Sequence, residues 1–87
     1  MIKTAGANVS AAEVEKAIGT VTGMAAHVVG IPDAQRGQLV AAVVVLPDGA
    51  TFDEAALRER LKDELSSYKI PKRVIPVPAV EDITTRP

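Results

Sequence analysis

Hydrophobic positions change their spacing several times along this chain, and each change marks an element. Val14, Ala17 and Ile18 fall at i, i+3 and i+4, a stripe that predicts a helix from about Ala11 to Ile18 with Gly19 as its stop. Glu13, Glu15 and Lys16 lie off the stripe and are expected to face solvent. The run Met24–Ile31 (MAAHVVGI) is almost wholly apolar and predicts a buried strand, closed by a turn over Pro32–Gly37. Leu39–Leu46 (LVAAVVVL) gives the strongest strand signal. A β-branched run without alternation implies burial on both faces, hence a central strand. Leu57, Leu61 and Leu65 recur at every fourth residue and predict a second helix ending near Ser66, with each buried leucine contributing roughly 1.5–3 kcal/mol. Arg73–Val77 reads as a third strand, and Pro76, which lacks a ladder donor, assigns it to an edge. Pro78–Pro87 has no apolar period and is expected to be an irregular tail.

Local chemistry sharpens the ends of these elements. Ser10 and Glu13 have the spacing of a reciprocal capping box, with Val9 and Val14 at the staple positions around it. Thr51 and Glu54 repeat the pattern before the second helix. Glu54 and Arg58 form an i,i+4 pair of favourable order, worth about 0.3–0.5 kcal/mol if exposed. Pro71 forbids helix and biases Ile70 toward extended geometry, so Ser66–Lys72 turns the chain back. Upstream, Ile2–Thr4 and Asn8–Val9 can form a short arm or hairpin across Gly6. The predicted class is α+β: a two-layer sandwich of a small, mostly antiparallel three-stranded sheet with both helices on one side and a short N-terminal arm. Counted with the arm as a strand, the order approaches a ferredoxin-like βαββαβ unit.

Composition narrows the function. The 87 residues make one domain, near the lower end of what buries a self-sufficient core. Hydrophobic residues are 47%, which is globular, yet the aromatics are only Phe52 and Tyr68. So thin an aliphatic core is easier to understand if one face packs on something larger. With 10 basic against 11 acidic residues there is no polyelectrolyte signal for nucleic acid or an anionic membrane. There is no cysteine, hence no disulfide framework and no cysteine-based metal or redox site. No apolar run reaches the length of a membrane span and no secretory leader pattern opens the chain, so a soluble, cytoplasmic protein is expected. His27 stands alone in an apolar run and is assigned no catalytic role.

The candidate chemistry lies in Lys3–Glu15, KTAGANVSAAEVE. A glycine-bearing loop, Lys3-Thr4-Ala5-Gly6-Ala7-Asn8, has a cation at one side and small residues at its centre, where a ligand or another backbone can approach closely. It is followed at once by the firmly capped helix start. Lys3, Gly6, Val9, Ser10, Glu13, Val14 and Glu15 together resemble the motif that opens the small C-terminal domain of the acyl- and aryl-CoA synthetases, members of the adenylate-forming superfamily. The likeness runs on through VVGIPDAQRGQLVAAVVVLPDG and Tyr68-Lys69-Ile70-Pro71. It departs at Gln38, where glutamate is usual, so any role of that carboxylate is absent. Lysine after the tyrosine is typical of the CoA ligases.

That resemblance implies a two-step reaction. A carboxylate and ATP form an acyl-adenylate with loss of pyrophosphate, and the CoA thiol then displaces AMP. The small domain rotates between the steps as a lid. The resemblance assigns Ala5, Gly6 and Ala7 to the pantetheine channel, Lys3 and Asn8 to the nucleotide, and Arg36 with the weaker candidate Lys62 to CoA. It assigns no catalytic residue and no metal ligand to this chain. ATP and CoA are then substrates of the intact enzyme, and Mg2+ is expected with ATP but not on this domain. The implied partner is a larger N-terminal adenylation domain that holds the ATP loop and acyl pocket. A hinge is expected upstream of Met1, and a Gly-Lys pair, whose lysine steadies charge during adenylation, is expected after Pro87. The chain is therefore expected to be a lid fragment, inactive by itself. Two alternatives stand beside this: a free-standing ligand-sensing or dimerisation module, and the lid of an enzyme whose acceptor is a carrier-protein phosphopantetheine.

Overall fold

A computed structural model describes residues 1–79, so the expected irregular tail lies, beyond Ala79, outside the described residues. The elements are β1 (Ile2–Thr4), β2 (Ala7–Val9), α1 (Ala11–Thr22), β3 (Ala26–Asp33), β4 (Gly37–Leu46), α2 (Glu54–Leu61), a 3-10 turn (Ser67–Lys69) and β5 (Arg73–Pro78). The predicted α+β class holds, but the sheet is larger than expected. The hairpin β1–β2 joins it through the bridge Thr4–Gly37, making five strands instead of three. Along the sheet the order is β2-β1-β4-β3, and β5 pairs with β4 as well. All pairings are antiparallel except β4–β5, which is parallel from Ala41–Arg73 to Leu46–Pro78. The ferredoxin-like arrangement is not adopted. Strand β1 has only three residues and reaches β4 only at Gly37, so β5 takes the rest of that edge directly.

Alternation sorts the sheet residues between two faces. Ile2, Val28, Val40, Ala42, Val44 and Val74 point inward and form one cluster with Val14, Ala17 and Ile18 of α1 and the Leu57, Leu61 and Leu65 seam. Both helices thus lie on this face, as predicted. Strand β4 is central, with partners on both edges, but it is not buried on both faces. Its outward Val43 and Val45 are half-buried beside Ile75 and Val77, and Ile75 and Val29 are each 49% exposed. Among the described residues no second layer covers that side. No helix among them is long and apolar enough to cross a membrane.

Helix α1 begins as expected and ends later. The Ser10 hydroxyl accepts from the Glu13 amide at 3.3 Å, but the Glu13 carboxylate does not reach back to close the box. Both its oxygens instead take the Lys69 ammonium at 3.0 Å. The helix runs through Gly19 because Val21 still packs on the core. It stops at Gly23, whose φ of 72° lets its amide donate back to the Gly19 carbonyl at 2.8 Å. Glu15 does not simply face solvent. Its carboxylate accepts from the Val28 amide at 2.9 Å, covering an edge donor of β3, while Pro32 further along that edge offers none.

Helix α2 is capped by Asp53, whose carboxylate accepts from the Ala56 amide at 3.1 Å, and not by Thr51. It is also shorter than expected. After Leu61 the chain continues in turns, with the Glu64 and Leu65 amides both donating to the Leu61 carbonyl at 2.9 Å. Those turns still bury Leu65. Arg58 pairs with Glu54 as predicted, and it also donates to the carbonyls of Pro71 at 3.1 Å and Lys72 at 2.7 Å. What looked like a surface pair is therefore a clamp on the segment entering β5.

Candidate functional site

The N-terminal hairpin is built on the pairs Ile2–Val9, Lys3–Asn8 and Thr4–Ala7, leaving Ala5 and Gly6 as a two-residue turn. Both have positive φ, 51° for Ala5 and 83° for Gly6, as the primed hairpin turn requires. Ala5 is the one non-glycine residue with positive φ among the described residues. An L-residue held left-handed costs roughly 1–2 kcal/mol, so this turn stores strain. Gly6 is explained within the domain by its φ and not by crowding: a Cβ there would meet no atom within 4 Å. The space before the turn is open. Ile2 and Thr4 bury one face of the hairpin, while Lys3 and Asn8, neighbours in register, share the exposed one.

Two hydrogen bonds fix the hairpin to the β3–β4 turn. The Ala5 amide donates to the Arg36 carbonyl at 2.9 Å, and the Lys3 amide donates to the Gln38 side-chain oxygen at 2.9 Å. Glutamine at this place keeps the anchoring acceptor, although a neutral amide oxygen makes a weaker bond than a carboxylate would. The turn itself is wound by Asp33, whose carboxylate accepts from the amides of Gln35 at 3.2 Å and Arg36 at 2.8 Å. Gly37, with φ 83°, returns the chain to β4. This presents the Arg36 guanidinium, 40% exposed and 3.6 Å from the Asp33 carboxylate, beside Ala5.

Thr4, Ala5 and Arg36 form one wall of an open cleft of about 260 Å³; Ser67, Tyr68 and Lys72 form the other. Four of these, Thr4, Ser67, Tyr68 and Lys72, are not among the site residues expected from the sequence. No local pattern marks them: a lysine after a proline is ordinary in sequence, and Lys72 joins the cleft only because the fold sets it opposite Arg36. Lys72 is held there by its amide donating to the Val40 carbonyl at 2.9 Å. The cleft therefore offers two cations, a phenol, two hydroxyls and the Ala5 corner of the turn, while Gly6 and Ala7 lie outside its lining. That set suits phosphate oxygens and a narrow chain lying along backbone. It contains no acid–base pair. Lys62 is not brought to it: this lysine ends α2, pairs with Glu59 at 3.0 Å and lines no part of the cleft. His27 lies exposed on the outward face of β3, opposite Val43.

The profile of the AMP-binding enzyme C-terminal domain matches residues 13–86. This chain belongs to that family. Among curated relatives it is 40% identical over 75 residues to a feruloyl-CoA synthase of Amycolatopsis sp, covering 85% of this chain and 15% of that protein. Among solved structures, ATP-bound MatB from Rhodopseudomonas palustris superposes with a TM-score of 0.82 at 34% identity, over 97% of this chain and 19% of that one. Amide bond synthetase McbA from Marinactinospora thermotolerans superposes with a TM-score of 0.80 at 38% identity, over 87% of this chain and 16% of that one. The chain thus spans about 15% of the length of the curated relatives it matches. The family match opens at Glu13, inside the capped start of α1, so the hairpin of this AMP-binding enzyme C-terminal domain precedes it.

Proposed function

We propose that this domain is the mobile C-terminal lid of an ATP-dependent acyl-CoA ligase, and that its hairpin edge receives CoA in the thioester-forming step. The observation that carries this is the cleft in which Ala5, at the corner of the hairpin turn, meets Arg36 and Lys72, with the neighbouring Gly6 open to solvent. CoA joins a phosphate-rich nucleotide to a thin thiol arm. Arg36 and Lys72 bind the phosphates, and the backbone of Ala5, Gly6 and Ala7 guides the arm. Lys3 and Asn8, on the opposite face of the hairpin from Thr4, turn toward the adenylate. The ATP loop, the acyl pocket and the lysine that steadies charge in adenylation belong to the rest of the polypeptide, and Mg2+ binds there with ATP. The setting is the cytoplasm, where ATP and CoA are at hand.

The test separates the two half-reactions in the intact enzyme. Gly6→Leu is expected to slow thioester formation at least about tenfold more than pyrophosphate exchange, because only the second step passes an arm across the turn. Equal losses in both steps would remove the channel assignment. The isolated domain is expected to catalyse no pyrophosphate exchange.

A second reading keeps the lid and changes the acceptor. The likeness to an amide bond synthetase supports it, since that protein shares this domain at 38% identity. Supplying free CoA, a carrier-protein phosphopantetheine and a simple amine in turn to the intact enzyme distinguishes the acceptors.

A further inference from the structure

One wall of the cleft comes from the hairpin and the β3–β4 turn, the other from the segment that leads into β5. The first wall is stitched internally, by Ala5 to Arg36 and by Lys3 to Gln38. The second is anchored at Lys72, through Val40 and Arg58. Neither set of bonds crosses between the hairpin side and the segment that carries Ser67 and Tyr68. One polar link among the described residues does bring them together. The Lys69 ammonium donates to both oxygens of Glu13 at 3.0 Å, across 56 residues of sequence.

Each end of that link is fixed by its own surroundings. Glu13 sits in the first turn of α1, its amide bonded to the Ser10 hydroxyl, directly after β2. Lys69 closes the 3-10 turn whose other members are Ser67 and Tyr68, and its side chain is only 20% exposed. The Lys69 amide is also bonded, to the Ser66 carbonyl at 2.9 Å, which closes the turn that carries Ser67 and Tyr68. The hydrogen bond to Glu13 holds the Lys69 amine above the ordinary lysine range against the opposing effect of burial, with the Glu13 and Tyr68 charges adding to the rise. A partly exposed pair of this kind stabilises a fold only slightly. Its effect is therefore to be sought in the spacing of the walls.

We propose that Glu13 and Lys69 are positioning residues that set the width of the Arg36–Lys72 cleft and thereby the affinity for the CoA nucleotide. The inference rests on the reading of that cleft as the CoA site. Without the tether the Ser67–Lys69 turn swings free of α1, and CoA must then close the cleft at the expense of its own binding energy.

The experiment uses the full-length native ligase that carries this domain, with Glu13→Gln, Lys69→Met, the reversal Glu13→Lys with Lys69→Glu, and Arg36→Ala. Each single variant of the pair is expected to raise the KM for CoA by about threefold to tenfold while pyrophosphate exchange stays within about twofold. The charge reversal is expected to return the KM to within about twofold of the parent, a rescue that a merely structural lesion would not show. Unchanged KM in both single variants, or a raised KM that the reversal fails to restore, overturns the tether. Glu13→Gln keeps the size of the side chain and the amide that bonds Ser10, so it remains informative should Lys69→Met fold poorly. Arg36→Ala separates the two levels of the argument. If it raises the KM and the pair variants do not, only the tether is lost. If it also leaves the KM unchanged, the cleft is not where CoA binds.

Discussion

Ala5 occupies a left-handed conformation, φ 51°, that glycine or asparagine would adopt with less strain. Natural proteins keep such strain where a ligand or a moving part needs that backbone shape. Ala5→Asn is expected to raise the stability of the domain by about 0.5–1 kcal/mol, read as a higher urea midpoint with unchanged slope. The same variant is expected to slow thioester formation in the intact enzyme, since the larger side chain projects at the turn. A stability gain with no loss of rate would mean that the strain has no functional purpose. The sequence announced half of this turn and hid the rest. Gly6 declares a backbone freedom in its own identity, whereas Ala5 is ordinary as a letter, and its strain appears only with the pairing Thr4–Ala7. Lys72 was illegible for a related reason: a lysine on a surface is commonplace until the fold brings Arg36 opposite it.

Element cores were readable and the ends of the helices were only partly so, because burial sets the first and single hydrogen bonds set the second. The Val14–Ala17–Ile18 stripe and the three-leucine seam are where their spacing put them. Gly19 and Gly23, by contrast, are equivalent on paper. The structure separates them: Gly19 is a mid-helix residue, and Gly23, at φ 72°, is the left-handed cap. Their substitutions should therefore have opposite signs. Gly19→Ala is expected to stabilise by about 0.5–1 kcal/mol, since a Cβ there meets only the Met24 carbonyl oxygen at an unstrained 3.9 Å. Gly23→Ala is expected to destabilise by roughly 1–2 kcal/mol, the cost of alanine in the left-handed region. Thermal unfolding of the two variants decides it, and equal signs would place the helix end elsewhere. The N-terminus of α2 holds the same lesson. Thr51 and Asp53 both suit a cap, and only the 3.1 Å bond to Ala56 shows that Asp53 has it. Asp53→Ala is expected to cost about 0.5–2 kcal/mol, and Thr51→Ala much less.

At the scale of the whole domain, the class was legible because two helical stripes and two apolar strands leave few ways to bury their faces. The five-stranded sheet was not, because β1 joins it through one residue pair that no local pattern announces. What holds the first third of the chain to the last is a shared aliphatic core plus the Lys69–Glu13 contact, which spans 56 residues. These two contributions respond differently to pH, and the response can be signed. The folded-state pKa of Lys69 is raised by its hydrogen bond to Glu13. A group whose pKa rises on folding binds its proton more tightly in the folded state, so its contribution is fully present below the unfolded lysine value and is lost as pH climbs through the folded one. The difference in urea midpoint between the parent and Lys69→Met should therefore be constant from neutral pH to the ordinary lysine range and shrink toward zero above it. Solvent screening keeps that difference small. Leu61→Ala is the control from the core: Leu61 is fully buried and has no charge to lose, so its penalty, about 2–5 kcal/mol, should not follow the lysine titration. If the Lys69→Met difference grows above the lysine range, or stays as flat there as that of Leu61→Ala, the ion pair contributes nothing to joining the two ends of the fold.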